Sequence, residues 1–167
     1  MSIGDFVILE QASSNGGRGS RTYPTQTGAT IIQPGEPVTR TVTGTFSQRM
    51  YGTATGAAIP VVATDYVVGI AQTASTNATG SVGTVTVFPT NSGTTWLVKA
   101  NDSTLWDTQA EYNALVGKRV LISYDLTSYT VLATDGTTNG LVVAPLDVAS
   151  HPGYVAVVFR AGLSDLA

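Results

Sequence analysis

His151 is the one histidine of this 167-residue chain, and there is no cysteine. Together these facts narrow the available chemistry sharply. A zinc site built on histidines or thiolates needs several such ligands, and an HExxH helix needs two histidines. A Ser–His–Asp hydrolase of the nucleophile-elbow kind would need G-x-S-x-G, which does not occur. His151 precedes Pro152-Gly153, a turn signal, and reads as a solvent-exposed turn residue. Gly16-Gly17-Arg18-Gly19 has the glycines of a phosphate loop but neither its lysine nor a following helix, so it reads as a flexible run. The chain has 11 Asp and Glu residues, and two of them could form a glycosidase pair. Such a pair is defined by distance in space, however, and spacing along the chain does not show one. The expectation is a protein without catalytic residues, metal ligands or cofactors, and not an enzyme.

The aromatic and basic residues point toward binding. Trp96 and Trp106 flank a predicted strand; they read as core residues of a β domain, with a sugar-binding platform as the other possibility. Most tyrosines sit within apolar patterns and read as half-buried. Between Glu10 and Asp65 the only acid is Glu36, against Arg18, Arg21, Arg40 and Arg49. With Tyr23 and Tyr51, those four arginines are the candidate residues for contact with another subunit. They do not make a nucleic-acid groove, because basic and aromatic residues are not interleaved and the remainder of the chain is acidic.

Charge is the other broad signal. Only 11% of residues are charged and the net charge is −3, where an ordinary soluble domain carries about a quarter charged residues. From Tyr66 to Val98 there is no ionisable acid or base apart from tyrosine. A surface of Thr, Ser, Asn, Gly and aliphatic residues costs little to desolvate against a protein partner. The negative balance gives no attraction to nucleic acid or anionic membrane. No apolar run approaches the roughly 20 residues of a membrane helix, and the first residues lack the basic start and long apolar run of a signal peptide. Neither nucleic acid nor membrane is an expected partner, and synthesis in a cytoplasm is expected.

The elements that would position these residues are mostly strands. Phe6 to Leu9 is a short apolar run, and Val38 to Thr43 is rich in β-branched residues. Tyr66 to Ala71 is continuously apolar, as in a strand buried on both faces. Gly83 to Phe88 alternates Thr with Val, giving one polar and one apolar face. Further strands are predicted at Thr95 to Ala100, Arg119 to Tyr124, Tyr129 to Ala133, Leu141 to Leu146 and Tyr154 to Arg160. The pair flanking Asp125-Leu126-Thr127-Ser128 reads as a hairpin. One helix is predicted from Thr108 to Val116: Thr108 and Glu111 have capping-box spacing, Tyr112, Leu115 and Val116 share a face, and Gly117 suits the left-handed position past the end. It would plug one end of the sheet assembly. Gln11 to Thr30 is Gly- and Ser-rich and without periodicity; it is either a solvated loop or an arm that orders on a partner. Tyr51 to Ala58 reads as a second such loop. The fold class is therefore all-β: an antiparallel barrel or sandwich, β-tulip or jelly-roll-like, with one short helix. Residues 1–33 form an N-terminal strand and flexible arm, and 34–167 a single β domain.

Four stretches carry a resemblance to a known group. Gly35-Glu36-Pro37-Val38 is followed by Val68-Gly69-Ile70-Ala71 and then by Gly83-Thr84-Val85-Thr86-Val87, and the chain closes with Pro152-Gly153-Tyr154-Val155-Ala156-Val157-Val158-Phe159-Arg160. Over residues 34 to 160 this order resembles the small β-rich head decoration, or cement, proteins of tailed bacteriophages. The resemblance implies a non-enzymatic virion component on the outer capsid surface, usually trimeric and sometimes dimeric, that bridges neighbouring major capsid proteins. It implies no catalytic residues. A carbohydrate-binding or tail-associated adhesin module, and a minor coat or tail subunit, are the alternative readings.

Overall fold

The structure, a computed structural model, describes residues 6–11, 20–25, 32–41, 50–52, 65–76, 83–90, 94–124, 128–133 and 141–159. Its strands are β1 (Val7–Gln11), β2 (Arg21–Pro24), β3 (Pro37–Thr41), β4 (Met50–Gly52), β5 (Asp65–Ala71) and β6 (Thr84–Pro89), then β7 (Thr94–Lys99), β8 (Arg119–Tyr124), β9 (Tyr129–Leu132), β10 (Leu141–Val143) and β11 (Tyr154–Phe159); between β7 and β8 lie a short 3-10 turn, Ser103–Leu105, and the one α-helix among the described residues, α1 (Gln109–Leu115). A six-stranded sheet runs β1-β7-β11-β10-β8-β9 and a five-stranded sheet runs β2-β6-β5-β3-β4, with antiparallel pairing between neighbours. The all-β architecture with a single short α-helix is thus the one expected.

The six-stranded sheet curls. Ala100, just past β7, makes a parallel bridge to Val131 on β9, and the Asn101 N–H donates to the Val131 carbonyl at 2.9 Å. The far edge of the sheet is thereby drawn back to its second strand, giving a partly closed barrel. Its interior is the larger core, with Val98, Ile122, Val131, Leu141, Val155 and Val157 among the buried residues. α1 plugs it, as expected from the sequence. Thr108 caps the helix by accepting from the Glu111 N–H (3.3 Å) while its hydroxyl donates to the Glu111 carboxylate (2.6 Å). Gly117 past the end has φ +81°, where a side chain would be strained.

Tyr112 carries the plug. It is fully buried, its ring lies 6.0 Å from that of Trp106, and its hydroxyl donates to the Ala144 carbonyl and accepts from the Ala156 N–H, both at 2.9 Å. The β10–β11 register, carried one step past Val143↔Val157, would pair Ala144 with Ala156. The Ala144 N–H does donate directly to the Ala156 carbonyl at 2.8 Å, but the return bond is relayed through the phenol. That explains why β10 ends at Val143 rather than at Leu146: the tyrosine hydroxyl takes the place of a ladder bond.

In the five-stranded sheet the period-2 pattern holds. Val85 and Val87 are buried while Thr84 is exposed and Thr86 half-buried. Ile70 belongs to the larger core and Ala71 to a second, smaller one with Ile32, Val38, Val85 and Val87. Successive residues of β5 are therefore buried on opposite faces, as its unbroken apolar run predicts. Two segments differ from the sequence expectation. Arg21–Pro24, inside the stretch read as loop or arm, is a strand paired with β6 from Arg21↔Val87 to Pro24↔Thr84. Tyr51 and Gly52, at the start of the second loop, belong to β4. The remainder of the glycine-rich N-terminal segment, residues 12–19 and 26–31, lies outside the described residues. The 1–33 segment nevertheless contributes one strand to each sheet and Ile32 to the smaller core.

Candidate interaction surfaces

β1 is the first strand of the six-stranded sheet and, among the described residues, pairs on one side only, with β7. The register sets Val7 opposite Leu97 and Ile8 opposite Trp96, so Ile8 shares the face of the buried Trp96 and Val7 the opposite face. Leu9 lies in the register shift and packs against the larger core. Val7 is 56% exposed and Ile8 39%. A groove of about 340 Å³ opens at this end. Phe6–Ile8 form one wall, and the Pro34-Gly35 turn with Ile70–Gln72 forms the other; Phe88 and Trp96 complete the lining. Not one of these residues is charged. The Phe6 N–H donates to the Gly35 carbonyl at 3.1 Å, tying the two walls together. Phe88 meets Trp96 edge-on with ring centres 5.8 Å apart, and Trp96 meets Phe159 in the same way at 6.4 Å. Trp96 is itself only 2% exposed, and its indole N–H finds no acceptor.

A cleft of about 720 Å³ lies at the start of α1, lined by Ser103, Thr104, Asp107 and Gln109 on one side and by Asp147–Ala149 with Pro152-Gly153 on the other. It brings together two acids, Asp107 and Asp147, that the sequence does not show as neighbours. Both are engaged locally. Asp147 accepts from the Ser150 hydroxyl at 2.5 Å and the Ala149 N–H at 3.2 Å, and the Ser150 bond holds its carboxyl below the usual range. Asp107 shares a hydrogen bond with Glu111, which raises it, while the Thr108 hydroxyl lowers Glu111. These are bonds of a turn and a helix cap, made by fully exposed side chains. Gln109 braces the cleft: its amide donates to the Leu146 carbonyl (3.0 Å) and accepts from the Val148 N–H (3.1 Å). Among the described residues no group of three or more His, Asp or Glu is placed to hold a metal ion.

His151 sits in the turn that the sequence predicts, but it is half-buried rather than solvent-exposed, and its Nδ1 is buried without a partner. Trp106, like Trp96, is a core residue. Of the candidate contact residues, Arg21 is exposed on the edge strand β2. Tyr23 is half-buried against the chain's own smaller core rather than free to enter a partner's pocket, because its strand pairs within the chain. Arg40 on β3 and Tyr51 on β4 lie on neighbouring strands, with Tyr51 opposite Thr39. Arg21 and Arg40 lie on strands three steps apart, about 14 Å at the usual inter-strand spacing. Arg18 and Arg49 lie outside the described residues. Val7 and Ile8 escaped the sequence reading as surface residues. The signal for them was the unalternating run from Phe6 to Leu9, which in an edge strand leaves apolar side chains on both faces.

These features define a two-sheet, all-β protein with an apolar opening beside a strand edge that is unpaired among the described residues. Comparison with protein-family models, with curated proteins and with solved structures finds no match.

Proposed function

We propose that the chain is a structural virion protein of a tailed phage, which binds the outer surface of the capsid, bridges neighbouring major capsid proteins and associates with copies of itself. It works by binding alone: whatever prefers the assembled shell opposes its disassembly by mass action. The observation that carries this reading is the uncharged groove beside β1, with Val7 and Ile8 exposed at its mouth. An apolar pocket next to a strand edge suits a protein partner, because the edge supplies main-chain hydrogen bonds and the pocket takes an apolar side chain. The charge-poor composition and the phage-like order of motifs from residue 34 to 160 lend support. The adhesin alternative loses its proposed sugar platform, since Trp96 and Trp106 are both buried.

The test is to add purified protein to capsids that lack it and measure co-sedimentation. Binding that saturates at a fixed number of copies per shell is expected, because lattice positions are discrete. No binding to shells, with binding to a glycan array instead, would favour the adhesin reading. Association with tails alone would favour a tail subunit.

A further inference from the structure

We infer that the cleft between residues 103–109 and the 147–153 turn is a docking site for a lysine or arginine side chain carried by an extended segment of a protein partner. The inference rests on the proposed function only where that partner is taken to be a capsid subunit. Both walls belong to unbroken stretches of described chain, 94–124 and 141–159. The volume, about 720 Å³, falls within the roughly 300–1,000 Å³ of ligand sites. It admits a long side chain together with the main chain that bears it. The lining has two characters. Val148, Ala149 and Pro152 offer an aliphatic surface, while Asp107 and Asp147 set one carboxylate on each wall. No base is among the described lining residues.

Charge complementarity selects the occupant. Ser150, Ala149 and His151 act on Asp147, and Glu111 acts on Asp107; no lysine or arginine is among them. His151 is half-buried and does not line the cleft. Glu111 acts on Asp107 as a like charge, a repulsion that an incoming cation relieves. Asp147 accepts one bond on each carboxylate oxygen, from the Ala149 N–H and the Ser150 hydroxyl. Those bonds fix the carboxylate and leave a lone pair on each oxygen for an outside donor. Acids at the start of a helix also complement its dipole, which accounts for Asp107 and Glu111 but not for Asp147 across the cleft. A lysine or arginine fits both characters of the lining, with its stem on Val148 and Pro152 and its charged head at the carboxylates. An acidic group would be repelled, and a wholly aliphatic one would strip water from the carboxylates without replacing it. A sugar would lack an aromatic face, because Trp106, in the same wall, is fully buried. Leu105, next to the lining residue Thr104, is 50% exposed. It gives the residue beside the basic one an apolar contact, which points to a peptide rather than a small amine.

The test titrates isotope-labelled full-length protein with a tripeptide, acetyl-Leu-Arg-Leu-amide, and follows backbone amide shifts by NMR. A second peptide carries citrulline, the neutral isostere of arginine, at its centre. The arginine peptide is expected to shift the amides of residues 103–109 and 147–153 and to saturate. The citrulline peptide is expected to bind at least about fivefold more weakly. Asp107→Asn and Asp147→Asn are each expected to weaken the arginine peptide about threefold, with an unchanged β-type circular dichroism spectrum. Equal affinity for the two peptides would overturn the inference, as would shifts confined to other residues or no shifts at all. Shifts of the same amides that grow with protein concentration alone, and vanish in the double Asn variant, would make the occupant a second copy and overturn the separate partner. Capsid binding is scored independently. A wild type that binds the peptide but not shells would leave this inference standing and remove the capsid function. One that binds shells but not the peptide would do the reverse.

Discussion

Tyr112 shows how one side chain can connect a helix to a barrel. Its ring fills the plugged end, and its hydroxyl replaces a backbone bond between Ala144 and Ala156. Replacing it with phenylalanine leaves the buried Ala156 N–H and the half-buried Ala144 carbonyl without that partner. Tyr112→Phe is expected to destabilise the protein by about 1–3 kcal/mol in urea unfolding. The same residue carries a pH signature, because burial pushes its hydroxyl from 10 up to about 12. The unfolded chain therefore holds fewer protons than the folded one between those values. The stabilisation is complete below pH 10 and is lost as pH rises toward 12. Wild type is expected to lose more stability than Tyr112→Phe over that window, and parallel curves for the two proteins would show that the phenol is not so buried. Trp96 is the contrasting case: its indole N–H is buried without an acceptor, and it lies under the groove rather than in a satisfied network.

At the scale of elements, local pattern and long-range pairing divide the fold between them. The capping box at Thr108 and Glu111 was legible because its spacing is local, and Thr108→Ala is expected to cost about 1 kcal/mol, read as a lowered urea midpoint with an unchanged slope. Gly69 was readable only as part of an apolar run. In the structure a Cβ there would meet the Phe88 carbonyl oxygen at 2.5 Å and Val87 side-chain atoms at 2.7 and 2.8 Å. Gly69→Ala must therefore part β5 from β6. Its cost is expected to be at least the 1–3 kcal/mol of ordinary overpacking, measured in the same way. The Thr–Val alternation of β6 made both its faces legible. By contrast, β2 was hidden, since Arg-Thr-Tyr-Pro has no period of its own and becomes a strand through pairing with β6. The groove was hidden for a related reason. Its walls come from residues near 6, 34, 70, 88 and 96, and no local pattern reveals that a strand face will lack a cover. The arginine set was legible as composition; sheet order, which the sequence does not show, puts Arg21 and Arg40 on strands three steps apart, and Tyr23 packs against the smaller core.

At the scale of the whole molecule, two sheets of unlike character are joined at one end. The six-stranded sheet partly closes around a large core, while the five-stranded sheet has a small core and, among the described residues, contributes Ile70 and Phe88 to the larger one. The uncharged groove lies there, beside the edge of β1 that is unpaired among the described residues. In the proposed reading a shell subunit engages its neighbours through such uncharged surface, so salt is expected to weaken binding only in part, through exposed arginines such as Arg21. Each copy that touches several capsid subunits gains from effective concentration, so modest contacts can sum to durable reinforcement. The most direct test is the temperature at which packaged DNA is released from capsids lacking the protein and from capsids fully occupied by it. The proposed function predicts a higher release temperature for the occupied shells, rising with occupancy until the lattice positions are filled. Equal release temperatures at full occupancy would contradict it.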